Sequence, residues 1–162
     1  MRYSALLFAL AGLASSSIPS LAADVSIDAT ASKMLNVELR SSDDMLLVDV
    51  FNPSDQAIKV SKRFLYGPEI GWADLAFDVR NGRGEVFSFV AKETGEPPAD
   101  LDWCILLPHQ FVGAAISLDT FRGLYALKGG RYSVSAEYLV RSENGDLLEK
   151  LKSASIQITI AQ

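Results

Sequence analysis

One cysteine and one histidine, Cys104 and His109, are the only residues of their kinds in 162, and they stand close enough in the chain to suggest a thiol nucleophile with an imidazole base. On an extended segment, positions an odd number apart face opposite ways, so the pair does not read as a catalytic one. The same two residues fall short of the His and Cys sets that hold zinc. A serine triad would have to use His109, and no Gly-x-Ser-x-Gly turn presents a serine to it. Asp43-Asp44 and Asp100-Leu101-Asp102 offer oxygen ligands, yet the alternating-acid calcium loop with its glycine and closing glutamate is missing. No carboxylate pair stands out for glycoside hydrolysis, where the fold sets the separation. The expectation is a non-enzymatic protein without cofactor or metal. Cys104, between Trp103 and Ile105, reads as a small buried hydrophobe, with an intermolecular bridge or a reactive thiol as the alternatives.

Recognition chemistry is better represented. Residues 92–102 place Gly95, Pro97 and Pro98 among Glu93, Glu96, Asp100 and Asp102, and Trp103, His109 and Phe111 follow. Loops of this length inside a compact domain are more often functional than incidental, and aromatic side chains anchor protein interfaces. Residues 92–111 are therefore expected to form the recognition end, with Glu93, Glu96, Asp100, Asp102, Trp103, His109 and Phe111 as its contact set and another protein as partner. Three other readings stand beside it. Trp72, Trp103, Tyr66, Phe111, Phe121 and Tyr125, all near turns, would also serve as caps on the ends of a core. Trp72 or Trp103 would serve as a stacking platform for a small molecule or carbohydrate. A structural envelope protein needs no discrete site at all.

The elements that must position these residues begin after a leader. Arg2, an apolar run over 5–13 and a small, polar stretch over 14–23 predict a cleaved signal peptide, residues 1–22, with Ser20-Leu21-Ala22 at the cut. The run is too short to span a bilayer, which takes about 20 apolar residues, and no later segment is long and apolar enough. The mature chain is expected to be periplasmic or secreted. Residues 23–162, about 140 of them, suit one domain with its own core. With 15 Lys and Arg against 20 Asp and Glu the charge is −5, which disfavours nucleic acid as a partner. The basic knot 59–63 reads as a solvated strand end. A lone cysteine means folding without an intramolecular disulfide.

Period-2 alternation dominates from residue 34 onward. Strands are expected over 34–40, 45–51, 56–61, 72–80, 85–90, 112–118, 132–140 and 153–160, the last led in by 147–151, with a short helical turn within 119–126. Asn81-Gly82 predicts a two-residue type I′ hairpin, and Asn144-Gly145 a second hairpin. Many short strands with turn signals between them predict an all-β fold, an immunoglobulin-like antiparallel β-sandwich of about 7–9 strands. Tyr132, two residues before Val134, fits the tyrosine that such sandwiches place at the start of their F strand, with Val134 where antibody domains carry a cysteine.

Laid end to end, LLVDVFNPSDQAI (46–58), LAFDVRNGRGE (75–85) and LDTFRGLYALKGGRYSVSAEY (118–138) resemble a recurrent extracytoplasmic sandwich module. The pattern is similar to the non-catalytic N-terminal module of deuterolysin-type, peptidyl-Lys metalloendopeptidases and to bacterial proteinase-inhibitor domains of the same build. The resemblance covers roughly residues 34–140 and implies a sandwich that binds a protein. The metalloendopeptidases carry zinc on an HExxH helix, which this chain lacks, so the resemblance implies no peptidase activity here. Asn52-Pro53-Ser54 is also similar to the first loop of chagasin-like cysteine-protease inhibitors, without their other loop motifs.

Overall fold

The computed structural model describes residues 33–68, 73–91, 103–142 and 144–161. Among them the chain forms strands β1 Asn36–Ser42, β2 Met45–Phe51, β3 Ile58–Ser61, β4 Leu75–Asn81, β5 Val86–Phe87, β6 Trp103–Leu106 and β7 Phe111–Ser117, then helix α1 Leu118–Leu124, then β8 Gly130–Arg141, β9 Leu147–Lys152 and β10 Ile156–Ile160. All strand pairs are antiparallel. One sheet runs β1-β2-β7 and the other β10-β8-β4-β5, with β9 also on β8, while β3 pairs β6.

Several of these segments are halves of one strand. The stretches containing β2 and β3 meet those containing β7 and β6 twice, first with Phe51 opposite Phe111 and then with Ile58 opposite Leu106, interrupted at Asn52. Likewise β9 and β10 follow one another along β8, with Lys152 opposite Glu137 and Ile156 opposite Val134. Ser153 bridges the irregularity: its N–H donates to the Ala136 carbonyl at 2.9 Å, and its hydroxyl accepts from the Ala136 N–H at 2.9 Å. Joined in this way, the described strands follow seven paths, within the expected 7–9. In immunoglobulin lettering the sheets read A-B-E and G-F-C-C′, the strand order of an immunoglobulin-like sandwich.

Alternation explains the core. Val37 and Leu39 of β1, Leu46, Val48 and Val50 of β2, Leu75, Phe77 and Val79 of β4, and Tyr132, Val134, Ala136 and Tyr138 of β8 are all buried, together with Ile158 and Ile160. Each large side chain so buried stabilises by about 1.5–3 kcal/mol. Tyr132 also donates its hydroxyl proton to the Lys128 carbonyl at 2.9 Å, the upstream backbone contact that defines a tyrosine corner.

Three local expectations are corrected. Alternation over 72–80 sets Ala73, Leu75, Phe77 and Val79 on one face and Asp74, Asp78 and Arg80 on the wet one, yet Asp74 is buried, and its carboxylate accepts from Arg63 Nε at 2.8 Å, Arg63 Nη2 at 3.1 Å and the Leu65 N–H at 3.1 Å. The basic knot is therefore not a solvated strand end as a whole. Lys62 is exposed, but Arg63 turns inward because a buried carboxylate needs a compensating cation. The Asn81-Gly82 hairpin forms without a two-residue turn. The left-handed position belongs to Gly84, φ 81°, whose N–H donates to the Asn81 carbonyl at 2.9 Å, while Asn81 Oδ1 accepts from the N–H groups of Arg83 and Glu85. That is a three-residue loop with a glycine bulge. The 142–146 turn repeats the device, with Ser142 Oγ accepting from the Asn144 and Asp146 N–H groups and Gly145 at φ 86°.

The β4 edge opposite β8 is closed piecemeal. Leu75 exchanges backbone bonds with Leu65 and Gly67, Val79 pairs Phe87 of β5, and between them the Tyr125 hydroxyl both accepts from the Phe77 N–H (3.2 Å) and contacts the Phe77 carbonyl (3.3 Å). Burial pushes the Tyr125 hydroxyl up to about 12 and raises that of Tyr138 as well. An unfolded tyrosine loses its proton near pH 10, so the unfolded state deprotonates first and stability is lost as pH rises from there through the folded values. From neutral pH the tyrosine contribution to melting temperature is expected to be flat up to about pH 10 and to fall steeply above it. Tyr125→Phe should flatten part of that fall, and an identical alkaline profile for the variant would refute the assignment.

Candidate functional site

Asn52 interrupts the β2–β3 path opposite the residues that join β6 to β7. The residue is fully buried. Its side-chain NH2 donates to the carbonyls of Gln56 (2.7 Å), Leu106 (3.0 Å) and Leu107 (3.2 Å), and its Oδ1 accepts from the N–H and hydroxyl of Ser54. Its backbone N–H donates to Gln110 and its carbonyl accepts from His109. Asn52-Pro53-Ser54 is thus an Asx turn in which Asn52 is buried while Pro53 is exposed. It splices β2 to β3 and clamps the facing turn between β6 and β7.

That turn, between two halves of one strand path, runs over Leu107-Pro108-His109-Gln110. His109 takes φ 60°, the Gln110 N–H donates to the Leu107 carbonyl at 3.1 Å, and Gln110 Oε1 accepts from the Leu107 N–H at 3.2 Å. With its backbone so held, the turn and its flanks present apolar side chains to solvent: Ile105 is 54%, Leu107 49% and Phe111 65% exposed. Phe51, opposite Phe111 across the ladder, is half-buried.

The predicted contact residues divide as follows. Trp103, His109 and Phe111 all sit on the segment formed by β6, this turn and β7, whereas Glu93, Glu96, Asp100, Asp102 and also Trp72 lie outside the described residues. Trp103 is half-buried, and Lys59 Nζ stands 5.6 Å from the centre of its ring, so a cation occupies one face of that stacking platform. His109 is exposed, with Asp55 Oδ1 3.7 Å from its Nε2. Cys104 is half-buried and packs against the core, away from the turn that carries His109. Tyr66, Phe121 and Tyr125 belong with the core or pack on it, as caps do. Ile105 and Leu107 were not singled out by sequence reasoning; the apolar run 103–107 reads as buried, and only the outward alternation of Trp103 and Ile105 hinted otherwise. Among the described residues, no group of three or more His, Cys, Asp or Glu is placed to hold a metal, and no helix is long and apolar enough to cross a membrane.

A groove of about 440 Å³ runs beside β4 and is walled by Phe87, Phe89 and Tyr125 over Asp78, Arg80 and Glu137. Its charges engage one another. Arg80 Nε and Lys152 Nζ reach Asp78 at 2.9 and 3.0 Å, and Lys152 reaches Glu137 at 3.1 Å. The bond from Arg80 holds the Asp78 carboxyl below its ordinary range.

Fold and surface together define an all-β, immunoglobulin-like sandwich with exposed apolar side chains on and beside the turn that joins β6 to β7. Compared with protein-family models and with curated protein sequences, the chain matches none.

Proposed function

We propose that this chain is an exported, non-enzymatic β-sandwich domain that binds another protein through the turn that joins β6 to β7, its partner class being a secreted protease or an envelope component. The reading is carried by one observation: Ile105, Leu107 and Phe111, three large apolar side chains on and beside one backbone-clamped turn, are each about half exposed or more. Large apolar side chains on a rigid turn lose little conformational entropy when covered, which is how a few residues come to dominate an interface. The resemblance to metalloendopeptidase accessory modules and proteinase-inhibitor domains supports the same reading, as does the export signal in residues 1–22.

The test is a double variant, Leu107→Ser with Phe111→Ser, used as bait against periplasmic and secreted fractions. Both side chains are exposed, so the melting temperature is expected to stay within a few degrees of wild type while specific capture falls about tenfold or more. Full capture by the variant would refute the reading. The groove beside β4 favours a second one, a small-molecule binder, which predicts that Phe89→Ala rather than the Leu107, Phe111 double variant loses the ligand.

A further inference from the structure

The groove beside β4 is made by a strand that turns away. Strand β5 pairs Phe87 with Val79 and Val86 with Arg80; continued in that register, it would set Phe89 opposite Phe77 and cover the β4 edge. Instead β5 ends at Phe87, and the chain is drawn aside to the helix, where the Val90 N–H donates to the Leu124 carbonyl at 2.8 Å. The Phe77 N–H and carbonyl, which a longer β5 would have bonded, are held by the Tyr125 hydroxyl at 3.2 and 3.3 Å. The Phe89 ring meets that of Tyr125 edge to face, with centroids 5.7 Å apart. The notch is thus a braced part of the fold, in which one shared hydroxyl stands in for two ladder bonds. The space it leaves, about 440 Å³, falls within the range of small-molecule sites, about 300–1,000 Å³.

Two chemistries line it. One is aromatic and apolar: Phe87, Phe89 and Tyr125, with exposed Val86 at the rim. The other is the charged set Asp78, Arg80 and Glu137, whose charges close on themselves. Arg80 donates to both Asp78 oxygens at 2.9 and 3.1 Å, and Lys152 Nζ reaches Asp78 at 3.0 Å and Glu137 at 3.1 Å. Two cations and two anions cancel, so a charged ligand loses to one pole what it gains from the other. Hydrogen-bonding capacity is not exhausted in the same way. A guanidinium has five N–H donors, two of which go to Asp78, and a carboxylate has about four lone-pair sites, of which Lys152 takes one at Glu137. The ligand that matches is uncharged, donates and accepts from neighbouring atoms, and has an apolar face for the aromatic wall. A sugar ring meets all three conditions, with hydroxyls on adjacent carbons and C–H faces that pack on aromatic rings.

We infer that this groove is a site for a neutral saccharide, its C–H face toward Phe87 and Phe89 and its vicinal hydroxyls bonded by Arg80 and Glu137. The inference rests on the small-molecule reading of the groove and is independent of the turn between β6 and β7.

Amide-shift titration of the chain as the cell releases it tests this. The compounds are neutral mono- and disaccharides of glucose, mannose, galactose and N-acetylglucosamine, the charged counterparts galacturonate and glucosamine, and phenol as an aromatic without a sugar's hydroxyls. At least one neutral saccharide is expected to bind with Kd below about 10 mM and to shift the amides of 76–80 and 86–89. Its Kd should change less than about twofold between about 20 and about 500 mM salt, because no net charge is paired, and the charged counterparts should bind several-fold more weakly. Phe89→Ala and Arg80→Gln are each expected to raise Kd about tenfold or more, while the Leu107→Ser, Phe111→Ser double variant leaves it unchanged. Should Phe89→Ala, whose ring packs on Tyr125, unfold the chain, Arg80→Gln at a half-exposed position carries the test. Binding untouched by the groove variants, shifts confined to other elements, or tighter binding of galacturonate, glucosamine or phenol would each overturn the inference. A charged compound or phenol that shifts the groove amides and is lost in Phe89→Ala would leave the groove a small-molecule site and refute only the saccharide; if none of the compounds shifts those amides, both fail.

Discussion

Val134→Asp is expected to abolish folding. Val134 is fully buried at the centre of β8, opposite Val79 on one side and Ile156 on the other, among apolar side chains from both sheets. An aspartate there loses the burial of a large aliphatic group, about 1.5–3 kcal/mol, and adds several kcal/mol for an unpaired carboxylate in an apolar interior. The sum is comparable with the whole stability of a domain this size, about 5–15 kcal/mol. The chain should be recovered as aggregate, or in solution without a cooperative melt. The neighbouring Ser133→Asp is the control. Ser133 is half-buried, faces out and lies opposite Arg80, so the same carboxylate one residue away should shift stability by less than about 1 kcal/mol. If both variants melt like the wild type, the register of β8 is wrong.

Asn52→Asp is expected to be nearly as damaging, although it changes the shape of the side chain hardly at all. The Asn52 NH2 group faces three backbone carbonyls, those of Gln56, Leu106 and Leu107. A carboxylate oxygen in its place sets negative charge against three acceptors, and an uncompensated buried charge costs about 3–5 kcal/mol. Asn52→Ala, which only leaves the carbonyls without donors, should cost about 2–3 kcal/mol. The two variants separate in pH dependence. Repulsion raises the folded-state pKa of the new carboxyl, so the folded form holds its proton more tightly and the deficit of Asn52→Asp shrinks as pH falls, whereas that of Asn52→Ala does not. Denaturant melts at pH 7 and near pH 5 measure this; a pH-independent loss for Asn52→Asp would show that the site is wetter than its burial implies. Because Asn52 clamps the turn beside Ile105, Leu107 and Phe111, either variant should also weaken the proposed partner capture by more than its loss of folded fraction accounts for.

Buried charge is where alternation misleads. Asp74 sits at a position that period 2 assigns to solvent, and Arg63 in a run of cations that composition assigns to solvent, yet each is inside because the other is. Nothing local in either segment announces the pair, which is 11 residues apart in sequence and joined only when the chain crosses from β3 to β4. Asn81-Gly82 is a similar case on a smaller scale. The dipeptide marks the hairpin correctly, but Gly84 two positions on offers the left-handed conformation as readily, and the Asn81 side chain, by accepting two N–H bonds, favours the longer loop.

The sequence by itself determined the sandwich: which residues share a face of β2, β4 and β8, where the hairpins turn, and that Tyr132 and Val134 lie in the core, because side chains alternate strictly along an extended chain and apolar faces must be covered. It also drew attention to the segment containing Trp103, His109 and Phe111. Only the tertiary structure decided what each face and edge meets. Alternation says that Ile105 and Phe111 point the same way, but not that this face stays open; it marks Asn52 as a turn residue, but not that seven backbone and side-chain groups from residues 54–56 and 106–110 converge on it. Those properties depend on contacts between residues far apart in the chain, and the local periodicity of a strand carries no record of its neighbours.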